Sequence, residues 1–204
     1  MYLQILLTVA AAAAGYLLGS LNSALIVGRF YGVDIRQHGS GNAGTTNTMR
    51  TLGKKAALFV LLGDIVKGLL AYAAGYFIYG GQLGGMIAGT AAIIGHIWPV
   101  YFGFKGGKGV LTTLAVLLML DWRAALGLLC VFIVILALTR FVSLGSVIGA
   151  FLFPFVELLL GRNIETVIFS AIIAVLLIVM HRSNIKRLLS GTESKFSFSK
   201  RKEG

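Results

Sequence analysis

Long apolar stretches make up most of the chain, and short polar stretches separate them. A helix needs about 20 consecutive apolar residues to cross the hydrocarbon core of a bilayer. Seven stretches approach or reach this length, the fourth being the shortest: 2–28, 56–79, 83–102, 109–120, 124–139, 144–160 and 164–180. Because lipid offers the backbone no hydrogen-bond partner, each stretch is expected to be a helix. The pattern predicts an all-α integral membrane protein, a bundle of about seven transmembrane helices.

The composition and the charge pattern support this prediction. Of the 204 residues, 57% are hydrophobic and only 12% are charged, whereas soluble domains carry about 25% charged residues. The first stretch has no basic residue ahead of it and is too long for a signal core, so we expect it to remain as a helix.

Basic residues are distributed unequally between the two sides of the predicted bundle. All but three of the 18 Lys and Arg residues fall on the side that carries the C-terminus. Arg123 and Arg162 fall on the other side, and Lys67 lies within a span. By the positive-inside rule the rich side is cytoplasmic, which predicts an outward N-terminus and an inward C-terminus. The net charge of +11 is thus explained by topology and anionic lipid, and no nucleic-acid partner is expected.

Three polar strings interrupt the apolar pattern on the predicted cytoplasmic side, and the first is HGSGNAGTTNTMR at 38–50. Glycines let backbone N–H groups turn towards an anion, while hydroxyl, amide and guanidinium groups add donors. A simple turn between two helices would not require so many small polar residues. The candidate substrate-binding residues here are Ser40, Gly41, Asn42, Thr46 and Asn47, with Arg50 as a candidate catalytic residue.

The second string, GFKGGKG at 103–109, resembles a phosphate-binding loop but lacks the nucleotide-binding pattern. That pattern would require glycine at 102 and Ser or Thr at 109, where the chain has Phe102 and Gly109. A glycine-rich entry into the fourth span, with a lysine beside it, still suits an anion. The candidates are Lys105, Gly106, Gly107 and Gly109 for binding, and Lys108 for catalysis.

The third string, HRSNIKRLLSGTE at 181–193, follows the last span. His181 and Asn184 are three residues apart, so they share a face if the helix continues, and both are candidate catalytic residues. Ser143 and Ser146 open the sixth span on the same side and are candidate hydroxyl donors. Asp64 and Lys67, also three apart, can form an intramembrane pair, whose role as a structural clamp or as part of the chemistry stays open. His96 is expected to orient the glycine loop.

Several classes of chemistry are not indicated. The single cysteine, Cys130, lies within a span, and the three histidines lack metal-ligand spacing, so no metal or cofactor is expected. Neither a GxSxG elbow nor an HxxxxD motif occurs, and no Ser-His-Asp triad can be assembled. Catalysis would therefore need an already activated substrate and electrostatic stabilisation.

Taken together, the strings SGNAGTTNTMR, GHIWPVYFGFKGGKGV, HRSNIKRLLSGTE and GDIVKG resemble the bacterial acyl-phosphate-dependent glycerol-3-phosphate acyltransferase family. The resemblance covers most of the chain in order. It implies transfer of a fatty acyl group from acyl phosphate to the 1-position of glycerol 3-phosphate, giving lysophosphatidic acid and phosphate. It matches Ser40, Asn42, Thr46, Asn47 and Arg50 to the first motif, Gly106–Gly109 to the phosphate loop, and His181, Asn184 and Glu193 to the third motif.

The resemblance implies an enzyme of the bacterial inner membrane that acts in the first step of phospholipid synthesis. We expect a single transmembrane catalytic domain at 1–192 and a basic cytoplasmic tail at 193–204. Direct transfer without an acyl-enzyme is expected, with His181 or the acyl phosphate itself accepting the proton. The alternatives are an anion transporter or channel, and a purely structural membrane subunit. Acyl chain length and oligomeric state stay open.

Overall fold

The structure is a computed structural model that describes residues 1–196. Its regular structure within this range is helical, without a β-strand. The ten α-helices are α1 (Tyr2–Ser20), α2 (Ser23–Phe30), α3 (Thr45–Thr51), α4 (Lys54–Gly75), α5 (Gln82–Ile97), α6 (Val110–Leu120), α7 (Trp122–Thr139), α8 (Val142–Leu159), α9 (Ile164–Met180) and α10 (Arg182–Leu189). The predicted basic tail at 193–204 lies outside the described residues from 197 onward.

Each of the seven predicted stretches is helical over most of its length, although the first is divided between α1 and α2. This confirms an all-α integral membrane protein. Five helical segments among residues 1–196 are long and apolar enough to cross a membrane, and a sixth is counted if α9 and α10 form one bent span. The fourth predicted stretch corresponds to α6, which has 11 residues and rises only about 16 Å at 1.5 Å per residue. Hydropathy alone therefore counts one or two more spans than helix length supports.

The described chain divides into two compact units, one comprising Met1–Leu120 and the other beginning at Asp121. In the first unit α1 packs against α5 through small residues. A Cβ on Gly15 would collide with the backbone of Ala88, and one on Gly19 would collide with the backbone of Ala92. Such close backbone approach is typical of helices packed within lipid. It fixes α1 on α5, whose C-terminal end carries His96 into the candidate site.

In the second unit α8 packs between its neighbours α7 and α9. Asp121 caps the N-terminus of α7, and its carboxylate accepts hydrogen bonds from the amides of Arg123 and Ala124. The Arg162 side chain donates to the same carboxylate. This ion pair joins the start of α7 to the α8–α9 turn at one end of the unit.

Candidate active site

The first polar loop, residues 38–50, is held in shape by the side chain of Asn47. Its Nδ2 donates to the carbonyl oxygens of Ile35 and His38 at 3.0 and 2.9 Å, and its Oδ1 accepts from the amide of Ser40 at 2.8 Å. The residue is only 1% exposed. The amide predicted to bind substrate is thus committed to bracing the loop that carries Ser40 and Asn42.

Two glycines allow this loop to turn. Gly39 and Gly41 have φ angles of 58° and 70°, a region that residues with a Cβ adopt at a cost. The loop then enters α3, whose last turn carries the half-buried Arg50. The small residues predicted for anion binding are therefore partly a requirement of the loop's backbone path.

The glycine loop, residues 105–109, lies directly against α5. The amides of Gly106 and Gly107 donate to the carbonyl oxygens of Ile97 and His96 at 3.0 and 3.1 Å. A Cβ on Gly107 would collide with Nε2 of His96 and with the carbonyl oxygen of Ala43. The two glycine amides are thus used within the protein, although the sequence pattern indicated that they face an anion.

The helix α6 begins immediately after this loop. Its first intrahelical hydrogen bond runs from the amide of Thr113 to the carbonyl oxygen of Gly109 at 2.8 Å. The first turn of a helix carries N–H groups that its own ladder does not use, with a positive end of the helix dipole. Lys105 is exposed and Lys108 half-buried at this point, so positive charge and a helix N-terminus coincide here.

Two side chains outside the three polar strings connect the segments that adjoin the first loop and the glycine loop. The guanidinium of Arg36 forms an ion pair with the Asp34 carboxylate at 2.8 Å and also donates to the carbonyl oxygen of Phe102 at 2.9 Å. The hydrogen bond from Arg36 to Asp34 is the main reason why the pKa of Asp34 lies below its usual value. In the sequence Arg36 is one of the basic residues that indicate the cytoplasmic side. Its position two residues after Asp34 is the sequence feature that indicates this ion pair.

Asn22 makes the second connection, from a buried position at the start of α2. Its Nδ2 lies 3.4 Å from the carbonyl oxygens of both Ala43 and His96, and its Oδ1 accepts from the amide of Leu25. Its amide side chain lies inside a stretch predicted to span the membrane, which is the sequence feature that indicates a polar role. Since Gly107 of the glycine loop also lies against the Ala43 carbonyl oxygen, the two predicted phosphate loops meet in the first unit.

Three ionisable groups are buried behind this junction: Asp64 and Lys67 from α4, and His96 from α5. Nζ of Lys67 lies 2.8 Å from Oδ1 of Asp64, 2.8 Å from Nδ1 of His96 and 3.2 Å from the carbonyl oxygen of Leu21. Each residue is at most 5% exposed. The predicted Asp64–Lys67 pair thus forms and includes His96, which lies against the glycine loop as expected.

In the second unit Glu193 gathers several residues of the third motif. Its Oε1 accepts from Ser143 Oγ at 2.6 Å and from Asn184 Nδ2 at 2.7 Å, and its Oε2 accepts from Arg187 Nε at 2.7 Å. Burial alone would raise the pKa of Glu193, but these hydrogen bonds outweigh burial and lower it. Glu193 is ionised at neutral pH and orients two predicted site residues, Ser143 and Asn184.

His181 lies at the point where the chain bends by 59° between α9 and α10. Its Nδ1 is 2.8 Å from the carbonyl oxygen of Leu177. Because a carbonyl only accepts, Nδ1 carries the proton there, and in the neutral ring Nε2 holds the lone pair. Both His181 and Asn184 are buried.

Ser146, also buried, donates to the carbonyl oxygen of Val142 within α8.

The described residues, 1–196, contain no cluster of three or more His, Cys, Asp or Glu side chains suited to a metal.

Comparison with known proteins identifies this combination of motifs. A family profile described as glycerol-3-phosphate acyltransferase matches residues 9–191. The chain belongs to the glycerol-3-phosphate acyltransferase family. A glycerol-3-phosphate acyltransferase of Trichlorobacter lovleyi is 43% identical over 184 residues, covering 90% of this chain and 95% of that protein. One of Alkaliphilus metalliredigens is 45% identical over 184 residues, covering 89% and 92%.

Solved structures of this family share the fold. The glycerol 3-phosphate form of PlsY (YgiH), an integral membrane glycerol 3-phosphate acyltransferase, superposes with a TM-score of 0.88 and 35% identity. It covers 93% of this chain and 96% of that one. The lysophosphatidic acid form of PlsY gives a TM-score of 0.85 and 34% identity, covering 94% and 96%. The predicted family is confirmed, and the chain is a multi-pass membrane protein.

Proposed function

We propose that the protein transfers a fatty acyl group from acyl phosphate to the 1-hydroxyl of glycerol 3-phosphate. The products are lysophosphatidic acid and inorganic phosphate, which makes this the first step of phospholipid synthesis. The observation that carries the proposal is the family match along residues 9–191, together with structural neighbours solved with glycerol 3-phosphate and lysophosphatidic acid. These two molecules are an acceptor and a product of the proposed reaction.

Acyl phosphate is the donor that best suits the chemistry of the chain. It is a mixed anhydride, so its carbonyl is already activated and its leaving group, phosphate, departs as a stable anion. A reaction of this kind needs positioning and charge stabilisation more than a nucleophilic side chain. Arg50 follows the first loop, and Lys105 and Lys108 belong to the glycine loop that lies against the first loop at Ala43. These three cations support the binding of two phosphate-bearing substrates.

The proposed step is direct. The 1-hydroxyl oxygen of glycerol 3-phosphate forms a bond with the acyl carbonyl carbon, the bond from that carbon to the phosphate oxygen breaks, and the hydroxyl proton passes to the departing phosphate. Arg50, Lys105 and Lys108 hold phosphate oxygens in this scheme.

The environment of His181 supports the substrate as the proton acceptor. The proton on Nδ1 faces the backbone carbonyl of Leu177, and a neutral carbonyl stabilises an imidazolium less than a carboxylate does. His181 is therefore proposed to orient substrate rather than to accept its proton. An acyl group trapped on any side chain, or ping-pong kinetics, would contradict direct transfer.

The charge pattern supports a placement in the bacterial plasma membrane with the N-terminus outside, the C-terminus inside and the site on the cytoplasmic face. This placement gives the site access to soluble glycerol 3-phosphate, while the acyl chain of the donor stays in lipid. Thiol labelling of single cysteines, introduced at Arg123 or Arg187 after Cys130→Ser removes the native thiol, tests the orientation in intact cells. Only the former should react with an impermeant reagent.

The test of function is phosphate release by the purified protein in lipid. Palmitoyl phosphate is supplied with and without glycerol 3-phosphate, and a Lys108→Ala variant is measured in parallel. Phosphate release that requires both substrates, equals lysophosphatidic acid formation and is lost in the variant is the expected result. Absence of product with any acyl donor from folded protein would overturn the proposal, and anion flux into proteoliposomes would then test a transporter.

A further inference from the structure

The buried cluster of Asp64, Lys67 and His96 has a chemical consequence for the glycine loop. A lysine ammonium has three N–H donors and no lone pair. Nζ of Lys67 lies 2.8 Å from Nδ1 of His96, so that nitrogen has to be the acceptor. Oδ1 of Asp64 lies 2.8 Å from the same nitrogen of Lys67 and 3.5 Å from Nδ1 of His96, so the carboxylate supplies a counter-charge for a lysine ammonium within the membrane.

The other edge of the ring then carries the proton. With a lone pair on Nδ1, the neutral imidazole holds its hydrogen on Nε2. Nε2 faces Gly107 so closely that a Cβ there would collide with it, and the Ala43 carbonyl oxygen lies against the same glycine. A fixed donor therefore points at the junction of the first loop and the glycine loop.

The backbone of the same residue is also engaged. The carbonyl oxygen of His96 accepts from the amide of Gly107 at 3.1 Å and lies 3.4 Å from Asn22 Nδ2. His96 thus contacts Gly107 of the glycine loop through both its ring and its backbone. Gly107 directly precedes Lys108. A small rotation of the ring would move the peptide that carries this lysine.

We propose that the Lys67 ammonium, with Asp64 as its counter-ion, fixes His96 in the Nε2–H tautomer and thereby makes His96 a positioning residue for the glycine loop. This inference rests on the proposed function, because the loop is taken to hold a phosphate of one substrate. The Asp64–Lys67 pair is then neither a purely structural clamp nor a direct part of the chemistry, because it acts on the site through His96.

The first test reads the tautomer directly and needs no activity. In protein labelled with ¹⁵N-histidine in micelles, protonated and unprotonated ring nitrogens are distinguished by their chemical shifts. The chain has three histidines, so the His96 signals are assigned by their loss in His96→Asn. We expect an unprotonated Nδ1 and a protonated Nε2. A protonated Nδ1 would overturn the proposal.

The second test uses the double variant Asp64→Asn/Lys67→Met, which removes both charges and so leaves no unpaired buried charge. The KM for one phosphate substrate, glycerol 3-phosphate or palmitoyl phosphate, should rise about tenfold or more. The other KM and kcat should change much less, and the His96 spectrum should show a mixture of tautomers. Unchanged KM values for both substrates would overturn the proposal.

Glu157→Gln is the matched control. Glu157 is a fully buried carboxyl within a span of the second unit, and its replacement should leave the KM values and the His96 spectrum unchanged. If the control changed the KM values as much as the double variant does, the cluster would contribute only to general packing, and the proposal would be overturned. Wild-type protein that is inactive would refute the proposed function, whereas the tautomer measurement would still decide the role of Lys67.

Discussion

Replacing Glu193 by Gln tests the arrangement of the second unit most directly. The substitution keeps the shape of the side chain but removes its charge. It also converts one of the two acceptor oxygens into an NH₂ donor, which must face either Arg187 Nε or the hydroxyl and amide donors on the other side. The Glu193 side chain is 7% exposed, so water can replace little of what is lost.

The expected loss follows from the contacts. The carboxylate accepts three hydrogen bonds of 2.6 to 2.7 Å. Bonds to a charged acceptor are worth about 1.5–3 kcal/mol each, roughly twice the neutral value. If the new NH₂ group faces Arg187, the bonds from Ser143 and Asn184 are weakened and two donors face each other at Arg187. The free energy of unfolding should then fall by about 2–4 kcal/mol. Arg187 is 40% exposed, so removing that residue alone should cost about 1 kcal/mol or less.

The pH dependence of this loss has a definite sign. The pKa of Glu193 is lower in the folded protein, so its stabilising contribution is complete above the ordinary glutamate pKa and disappears as the pH falls through the folded value. The free energies of unfolding of the wild type and Glu193→Gln should therefore differ most near neutral pH and converge in acid.

The assay is unfolding in mixed micelles, followed by circular dichroism at several pH values. Glu165→Gln, which alters an exposed carboxylate in the first turn of α9, is the control and should resemble the wild type. A Glu193→Gln protein within about 0.5 kcal/mol of the wild type, or a difference that persists unchanged in acid, would refute the reasoning.

Two further predictions concern the first unit. Gly107→Ala should lower kcat/KM for acyl transfer about tenfold or more, because its Cβ would collide with Nε2 of His96 and the Ala43 carbonyl; Gly127→Ala, whose Cβ meets no atom within 4 Å, should retain full activity. Asn47→Asp should lower the free energy of unfolding by about 3 kcal/mol, because a buried carboxylate would face two carbonyl oxygens. A change confined to KM, measured beside unfolding in micelles, would instead assign Asn47 to direct substrate contact.

Much of the fold could be predicted because lipid imposes a simple rule on sequence. Apolar stretches of membrane length are expected to be helical, and most of each predicted stretch is. The fourth stretch, residues 109–120, is helical as predicted, but α6 has only 11 residues and is too short to cross a bilayer by itself. Hydropathy indicates a helix there but does not decide whether that helix spans the membrane.

Residue type indicated where polar loops lie but not what their side chains contact. Asn47, Gly106 and Gly107 were predicted to bind anions, and the structure shows their polar groups in hydrogen bonds within the protein. Asn22 and Arg36 each had a local signal in the sequence. Their contacts next to the two loops, however, are with backbone carbonyls far away in the chain, which carry no sequence signal.

The sequence by itself determined the membrane environment, the helical class, the polar strings and the family, because each depends on residue type and local order. Only the tertiary structure decided that His96 joins the Asp64–Lys67 pair, that Glu193 fixes Ser143 and Asn184, and that the glycine amides turn inward. These relations depend on distances of about 3 Å between residues far apart in the chain, and packing alone sets such distances.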